Sequence, residues 1–342
     1  MIRRPPRSTL SSSSAASDVY KRQGVPGLED EIAKIVQNNI LNLCQSHEID
    51  AMGNNIFTVN KKIEKAPTIL VDAHMDEVGF LVSNIESNGM IRVIALGGID
   101  PKLFYGQRLT IWGKKAIEAT VAAIPPHISN KSDAITQVED CIIDTGLKDK
   151  DVLKFINIGD QITFSTNCEI GYDRVLSKAL DDRVGLFVLI EAVKVLSKKK
   201  LNCNFTVSAS VQEEMGLRGA RIINSKVNPD FSIALEGTVS NDLPGVPSYK
   251  SLASLDNGPE IRISDKYLIA DRKLNSFIES IAKKKKIPYQ LTAKNAGGTN
   301  STAFQVTGNG SKATVLSVPV RYLHSPSSVS YTHLTLPTKR IV

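Results

Sequence analysis

The 342-residue sequence predicts an α/β fold into which a small all-β domain is inserted. In the regions before and after this insertion, apolar segments typical of buried strands alternate with amphipathic helices. Between about Phe80 and Thr166 the helical periodicity disappears, and short β-like segments are separated by Gly, Pro and Asn. The α/β pattern returns after Ser177, so the insertion divides the α/β domain into two parts.

The first part begins with a turn at Pro26 and an amphipathic helix predicted over residues 28–44. Strands follow at 56–59 and 68–73, the second being a continuous apolar run. In the insertion, the short segments predict the strands of a small barrel or sandwich at 80–85, 90–96, 108–112, 119–124 and 161–164. In the second part, the alternating elements are helices at 183–198, 216–225 and 268–285 and strands at 204–211, 231–235, 259–264 and 313–317.

The two ends of the chain differ from the body in composition. Residues 1–23 and 328–342 resemble translated sequencing-adapter read-through, and we expect neither to belong to the fold; a natural disordered arm and tail is the alternative. The predicted domains are therefore a split α/β domain at 24–79 and 167–327 and an inserted β domain at 80–166.

Charge and apolar content exclude several classes of partner. The ends carry nearly all of the net charge of +7, which leaves the body at about +1, and a single Trp leaves few aromatic side chains for base stacking. Nucleic acid is therefore not an expected partner. No apolar run approaches the roughly 20 residues that cross a bilayer, so we expect no membrane partner. The four scattered cysteines contain no CxxC pair, which favours a reducing cytoplasm.

Carboxylates and histidines follow predicted strands of the α/β domain at several places. Glu213 and Glu214 come after an apolar strand with no cation beside them, so burying either acid needs a positive partner. His74 and Asp76 are two residues apart and would share one face of a strand, where Asp76 could accept the second ring N–H of His74. The remaining acids and imidazole at such positions are Asp181, Asp182, Glu236 and His324.

Each of these segments also has a simpler explanation when taken alone. One aspartate of the pair Asp181 and Asp182 could cap the following helix, and His74 could be a core histidine. Their shared position, at the C-terminal ends of predicted strands, is where ligands collect at the edge of an α/β sheet. Two imidazoles and three carboxylates suit two divalent ions per subunit, such as Zn²⁺, Co²⁺ or Mn²⁺.

Seven motifs in this order carry a resemblance to a known family: AHMDEVGF, KALDDRVG, QEEMGLRGA, the acid after IAL, IPYQ, GGT and RYLHSP. They resemble the tetrahedral-aminopeptidase family of dinuclear metallo-aminopeptidases, also called glutamyl or deblocking aminopeptidases and earlier labelled endoglucanase-like. The similarity extends over about residues 24–326. It implies a zinc-peptidase-like, mixed-sheet, three-layer α/β domain, with an inserted β domain used in dimerisation and with dimers often assembled into a hollow dodecamer.

The resemblance also implies a role for each residue of the predicted centre. One ion would be bound by His74 and Glu236, the other by Glu214 and His324, and both by Asp181. Glu213 would be the general base, Asp76 would support His74, and Asp182 would be a further supporting residue after a peptide bond that is commonly cis in such sites. A water held by both ions would attack the carbonyl of the first peptide bond, so the substrates would be short peptides with a free N-terminus.

Three departures from the family pattern weaken parts of this inference. The family commonly has Asp where this chain has Glu236, and it reads GGTD where this chain has Asn300 after GGT. After Pro326 the family continues into a final helix, and its absence would expose apolar surface.

Two other functions stay open at this point. One is a metal-dependent carboxypeptidase or amide deacylase of similar fold. The other is a catalytically inactive scaffold that assembles with itself. A glycosidase, which also uses paired acids, is disfavoured by the two histidines among the acids.

Overall fold

The computed structural model describes residues 19–123, 127, 137–171, 173–250 and 252–331, and it confirms the predicted fold class. In chain order its helices are α1 (Asp30–Ile40), α2 (Asp149–Phe155), α3 (Leu180–Leu196), α4 (Arg218–Val227), α5 (Arg272–Lys285) and α6 (Asn300–Val306). Its strands are β1 (Ser46–Ile49), β2 (Asn55–Thr58), β3 (Thr68–His74), β4 (Gly79–Ile85), β5 (Ile91–Leu96), β6 (Arg108–Trp112), β7 (Ala116–Val121), β8 (Ile143–Asp144), β9 (Gln161–Phe164), β10 (Glu169–Gly171), β11 (Arg174–Ser177), β12 (Asn204–Ser210), β13 (Phe231–Val239), β14 (Glu260–Ser264), β15 (Gln290–Ala293), β16 (Lys312–Val320) and β17 (Ser328–Tyr331).

The main sheet is mixed, and its central strands are parallel. Its order is β1-β2-β12-β3-β13-β16-β14-β15. Strands β12, β3, β13 and β16 run in one direction, whereas β2 and β14 run against their neighbours β12 and β16. Because parallel strands end at the same edge of a sheet, the segments that follow β3, β12 and β16 emerge close together.

Apolar side chains cover both faces of this sheet, which explains the continuous apolar runs in the sequence. On one face, Phe57 and Val207 pack against residues of α1 and α3 such as Ile32 and Leu189. On the other face, the strand residues Ile56, Leu70 and Val315 pack against Ile223 of α4 and Phe304 of α6. Successive strand residues point to opposite faces, so both layers draw on the same strands. The result is the three-layer α/β domain that the sequence predicts.

The inserted strands close into a barrel in the order β4-β5-β8-β7-β6-β9. Its interior contains three aromatic rings, with the centroid of Phe80 at 4.5 Å from that of Phe104 and 5.5 Å from that of Phe164. The sequence left a barrel and a sandwich both open. The pairing of β4 with β9, the first and last strands of the insertion, selects the barrel.

Several predicted boundaries differ from the observed ones. The sequence predicted that Glu236 follows the end of a strand. Strand β13 instead continues to Val239, so Glu236 lies inside it. Pairing of the whole strand with β16 explains the extension, because the ladder continues as far as Val239 and Val320. Helix α5 begins at Arg272 rather than at residue 268, because the Asp271 side chain accepts a hydrogen bond from the Leu274 amide and caps the helix.

Parts of both predicted end segments pack onto the fold. Val19 and Tyr20 are buried, and the buried Arg183 guanidinium donates to the carbonyl oxygen of Val19 at 3.1 Å. The first residues of the predicted tail form β17, which pairs antiparallel with β11. Tertiary pairing of this kind leaves no periodic signal in so short a segment. Residues 1–18 and 332–342 lie outside the described part of the chain.

An apolar cavity of about 570 Å³ opens beside α3. It is lined by Val188, Ala192 and Leu196 of that helix and by sheet residues such as Leu316. Of the predicted metal ligands, Glu236 alone lines this cavity, so the cavity is not the predicted centre. Among the described residues, none of the helices has the length and apolar character needed to span a bilayer.

The barrel core yields a stability prediction. Replacing Phe80, which is fully buried against two other rings, by Ala should lower the free energy of unfolding by about 3–5 kcal/mol. The matched control is Phe277→Ala on α5, where the ring is 62% exposed and the change should stay within about 0.5 kcal/mol. Urea unfolding followed by fluorescence measures both. Equal losses in the two variants would contradict the assignment of Phe80 to a packed core.

Candidate metal centre

Residues from five segments of the chain converge at one edge of the main sheet. His74 is the last residue of β3, and Asp181 lies at the start of α3 in a non-helical conformation. The turn between β12 and α4 carries Glu213 and Glu214. The set is completed by Glu236 of β13 and by His324 in the loop between β16 and β17.

Asp181 lies between the two imidazoles. Its Oδ1 is 3.3 Å from His74 Nε2, and its Oδ2 is 3.4 Å from His324 Nε2. Each imidazole also faces a glutamate, with His74 Nε2 at 3.6 Å from Glu236 Oε2 and His324 Nε2 at 3.1 Å from Glu214 Oε1. The five groups therefore divide into two halves that share one carboxylate, in the arrangement that the resemblance implied.

Both imidazoles are oriented through their Nδ1 atoms. His74 Nδ1 donates to the Asp76 carbonyl oxygen at 3.0 Å, and His324 Nδ1 donates to the Gly98 carbonyl oxygen at 2.8 Å. A carbonyl oxygen can only accept, so the hydrogen-bond network assigns a proton to Nδ1 in each ring. Both Nε2 atoms are therefore turned toward the carboxylates, as a ligating histidine requires.

The electrostatics of the cluster favour cations. Burial alone would lower the pKa of both histidines, but the facing carboxylates outweigh it and raise the pKa, in His324 to about 11. Burial raises the pKa of Glu236 well above its usual value, and the aspartates beside it add to this effect. Without metal, protons therefore occupy this cluster, and divalent ions would displace them on binding.

Two orphaned oxygens test whether metal fits. Glu214 Oε1 and Glu236 Oε1 are buried and accept no hydrogen bond from the described residues. A buried carboxylate oxygen without a partner is costly, and a cation supplies one. Together with the imidazole Nε2 atoms they form a nitrogen and oxygen donor set of the kind that binds Zn²⁺, Co²⁺ or Mn²⁺.

Two compact triads have ligand atoms within 4.8 Å of one another: His74 with Asp181 and Glu214, and His74 with Asp182 and Glu236. The second triad differs from the predicted sets because it contains Asp182. Both oxygens of Asp182 already accept backbone hydrogen bonds, from His74 at 3.3 Å and from Gly185 at 2.9 Å. We therefore keep Asp182 as a supporting residue, and the Asp181–Asp182 peptide bond is cis.

Asp76 lies beside His74, as predicted, and it contacts the centre through both its backbone and its carboxylate. Strand β3 ends at His74, so the two residues do not share a strand face, and the nearest acceptor for His74 Nδ1 is the carbonyl oxygen of Asp76. The Asp76 carboxylate lies 3.4 Å from that ring nitrogen. Its two oxygens accept the amides of Glu213 and Glu214 at 3.0 Å each. Asp76 therefore joins the end of β3 to the turn that carries both glutamates.

Glu213 belongs to neither of the two compact triads, although its carboxyl group interacts with the charges of the same cluster. Burial raises its pKa well above the usual range, and the carboxylates of Glu236, Glu214 and Asp181 raise it further. A carboxyl group with a raised pKa can exchange protons near neutral pH.

Sequence reasoning missed three glycines around the centre. A Cβ atom on Gly237 would lie 3.2 Å from Asp181 Cα and Oδ1, and one on Gly97 would lie 2.7 Å from Val78 Cγ1 and 3.3 Å from Glu214 Oε2. Gly98, beside Gly97, provides the carbonyl oxygen that holds His324. Gly97 and Gly98 follow β5, so the barrel contributes directly to the centre. The Gly97-Gly98 pair in the sequence could have indicated a place where the backbone closely approaches other residues.

The two motif residues that the sequence left unassigned have internal partners. Asn300 donates from Nδ2 to Asp72 Oδ2 and to Ser210 Oγ, both at 2.8 Å. Burial raises the pKa of Asp72 to about 6, so a second carboxylate at position 300 would need a proton. Arg321 forms a two-pronged ion pair with Asp242, at 2.7 and 2.9 Å.

Residues 53–335 match the family model described as M42 glutamyl aminopeptidase. The glutamyl aminopeptidase of Lactococcus lactis is 31% identical over 90% of this chain and 88% of its own length. The lysyl aminopeptidase of Pyrococcus furiosus is 30% identical over 90% of this chain and 86% of its own length. A solved structure of the TET1 peptidase of Pyrococcus horikoshii, which can assemble into a tetrahedron or a large octahedral shell, covers 93% of each chain at 30% identity with a TM-score of 0.82.

The close packing of Gly237 against Asp181 predicts a metal-binding defect. In Gly237→Ala the new methyl group would push Asp181 out of its place between the imidazoles, so metal affinity should fall about 10–100-fold. Competition with a chromophoric chelator measures the affinity. The control is Gly171→Ala in β10, where a Cβ meets no atom within 4 Å and affinity should not change. Unchanged affinity in the Gly237 variant would contradict the shared position of Asp181.

Proposed function

This chain belongs to the M42 glutamyl aminopeptidase family, and we propose that it binds two divalent ions, shared through Asp181, to release the N-terminal residue of peptides. Its activity is that of a metal-dependent aminopeptidase. The observation that carries the proposal is the position of Asp181, whose two oxygens face two different imidazoles. The halves of the centre are alike, since each contains one histidine and one glutamate.

Two ions fit this arrangement better than one. The carboxylates of Asp181, Glu214 and Glu236 bring three negative charges into a site that is largely closed to water. A single divalent ion would leave this group of carboxylates undercompensated, and its ligands already divide into two sets. Zn²⁺, Co²⁺ and Mn²⁺ are the proposed ions, because mixed imidazole and carboxylate ligands suit all three.

Glu213 is the proposed general base. Bound divalent ions would supply Lewis acidity, which acidifies water and polarises the peptide carbonyl. The Glu213 carboxylate would accept a proton from the attacking water and deliver it to the amine of the leaving peptide. Burial raises its pKa and nearby carboxylates raise it further, which favours uptake of a proton by this group.

The proposed substrates are short peptides with a free N-terminus. An unprotonated α-amine is a metal ligand and would fix the first peptide bond beside Glu213. Which side chain is preferred is a separate matter, since the two named relatives are a glutamyl and a lysyl aminopeptidase. Arg321 gives no reason to expect acidic substrates, because its charge is already neutralised by the ion pair with Asp242.

The proposal also includes the association of subunits into an oligomer. The TET1 peptidase forms closed shells, and we propose that this chain likewise forms a homo-oligomer, built from dimers through the inserted barrel. A dodecamer is the expected size. The cytoplasmic location inferred from the sequence stays a prediction.

The alternative functions have less support. A carboxypeptidase or amide deacylase could use the same ions, but the named relatives are aminopeptidases. An inactive scaffold would have no need for Glu213 together with five predicted ligands, two of which, Glu214 and Glu236, each have a buried oxygen without a hydrogen bond.

Replacing the proposed base should separate catalysis from metal binding. Glu213→Gln should keep both ions and lower kcat by about 10²–10⁴, because the amide cannot accept the proton. Steady-state kinetics and metal analysis of the purified protein measure the two effects. Glu64→Gln at an exposed position is the control and should behave as wild type. Wild-type turnover in a folded Glu213→Gln protein would rule out this residue as the base.

Metal removal should test class, metal and specificity together. Chelation should abolish hydrolysis of unblocked aminoacyl substrates, and adding back Zn²⁺, Co²⁺ or Mn²⁺ should restore it, with saturation at about two ions per subunit. The same substrates with an acetylated amine are the control and should not be cleaved. Activity that survives chelation, or equal cleavage of blocked substrates, would contradict the proposal.

A further inference from the structure

The backbone amides of three successive residues, Gln212, Glu213 and Glu214, each donate a hydrogen bond to a buried carboxylate. The Gln212 amide donates to Glu29 Oε1 at 3.2 Å. The Glu213 and Glu214 amides donate to Oδ1 and Oδ2 of Asp76, both at 3.0 Å. Two carboxylates therefore hold the turn that carries the proposed base, and one of them, Glu29, lies 183 residues away in sequence.

Glu29 contacts no predicted metal ligand. It precedes the first residue of α1, is 6% exposed, and also accepts the Gly27 amide at 2.8 Å through the same oxygen. Its carboxylate therefore ties the N-terminal turn of the α/β domain to the turn at Gln212. A buried amide that loses its only acceptor costs about 1–3 kcal/mol, so the contact has energetic weight.

The Gln212 amide binds an acceptor from outside this turn, whereas the Gln212 carbonyl oxygen accepts the Arg218 amide at 3.1 Å. Gln212 has a φ of 55°, in the left-handed region that is unfavourable for a residue with a side chain. On its C-terminal side, the Glu213 carbonyl oxygen already accepts the amides of Gly216 and Leu217, at 3.0 and 2.9 Å. If Glu29 released the Gln212 amide, the strained residue could relax, and the rotation would be passed to Glu213.

We propose that Glu29 is a positioning residue for Glu213, which it aims at the metal centre by holding the Gln212 amide. This inference rests on the proposed role of Glu213 as the general base. Glu29 touches neither ions nor substrate, so its loss should change how well the base is placed and not whether the ions bind. A displacement of about 1 Å can lower a rate about 100-fold, which sets the scale of the expected effect.

The surroundings of Glu29 indicate which substitution is conservative. Burial raises its pKa to about 7, and the charge of Asp76 adds to this, whereas the hydrogen bonds from backbone amides oppose it. An uncharged acceptor of the same length can therefore replace the carboxyl group, and Gln is that acceptor.

The experiment compares four variants of the metal-loaded enzyme by kcat, KM and metal content. Glu29→Ala removes the acceptor, Glu29→Asp shortens it, and Glu29→Gln keeps it. Glu31→Ala on the same helix is the control, because Glu31 pairs with Lys34 at the surface. We expect kcat to fall about 10–100-fold in the Ala and Asp variants, with KM within about threefold and the metal content unchanged. The Gln and control variants should retain kcat within about threefold.

A double-variant cycle with Glu213→Gln then separates positioning from general destabilisation. If Glu29 acts through the base, Glu29→Asp should lower kcat no further once Glu213 is replaced. Additive losses, a loss of metal in the Asp variant, or wild-type kcat in both the Ala and Asp variants would overturn the inference. Wild-type kcat in Glu213→Gln alone would overturn the proposed base and this inference with it. A low kcat in Glu213→Gln beside wild-type Glu29 variants would overturn the inference only.

Discussion

Mutual repulsion among buried carboxylates is the constraint on which the rest of this structure depends. Asp181, Glu213, Glu214 and Glu236 lie around two imidazoles, and the raised pKa values of Glu213 and Glu236 express their repulsion and loss of hydration. Such a cluster persists only if cations bind it or protons neutralise it. The same repulsion makes the cluster suited to hydrolysis, because ions that relieve it also activate water.

The surrounding fold holds these groups where repulsion would separate them. Parallel strands deliver His74 and Glu236 to one region of the sheet, and Asp76 attaches the turn of Glu213 and Glu214 by its backbone amides. The barrel adds the carbonyl oxygen of Gly98, which orients His324 from a different domain. The inserted barrel therefore contributes a hydrogen-bond acceptor directly to the candidate metal centre.

Much of this could be predicted because the local signals were strong. Apolar runs identified β3, β12 and β16, and the mixture of histidines and acids identified the residues that the structure brings together in one cluster. The resemblance added the pairing of the ligands, and their distances agree with it. The predicted strand boundaries were wrong where pairing with a neighbouring strand determines where a strand forms or ends. Glu236 lies inside β13 because β16 extends the ladder, and β17 exists because β11 offers an edge.

The sequence by itself determined the fold class, the division into two domains and the chemical types gathered at the centre, because periodicity and residue identity are local properties of the chain. Only the tertiary structure decided which carboxylate oxygen faces which imidazole, and that Gly98 and Glu29 support residues more than a hundred positions away. Contacts of this kind depend on how elements pack in three dimensions. A backbone carbonyl or amide has no side chain to identify it, so no sequence pattern specifies which distant group it binds.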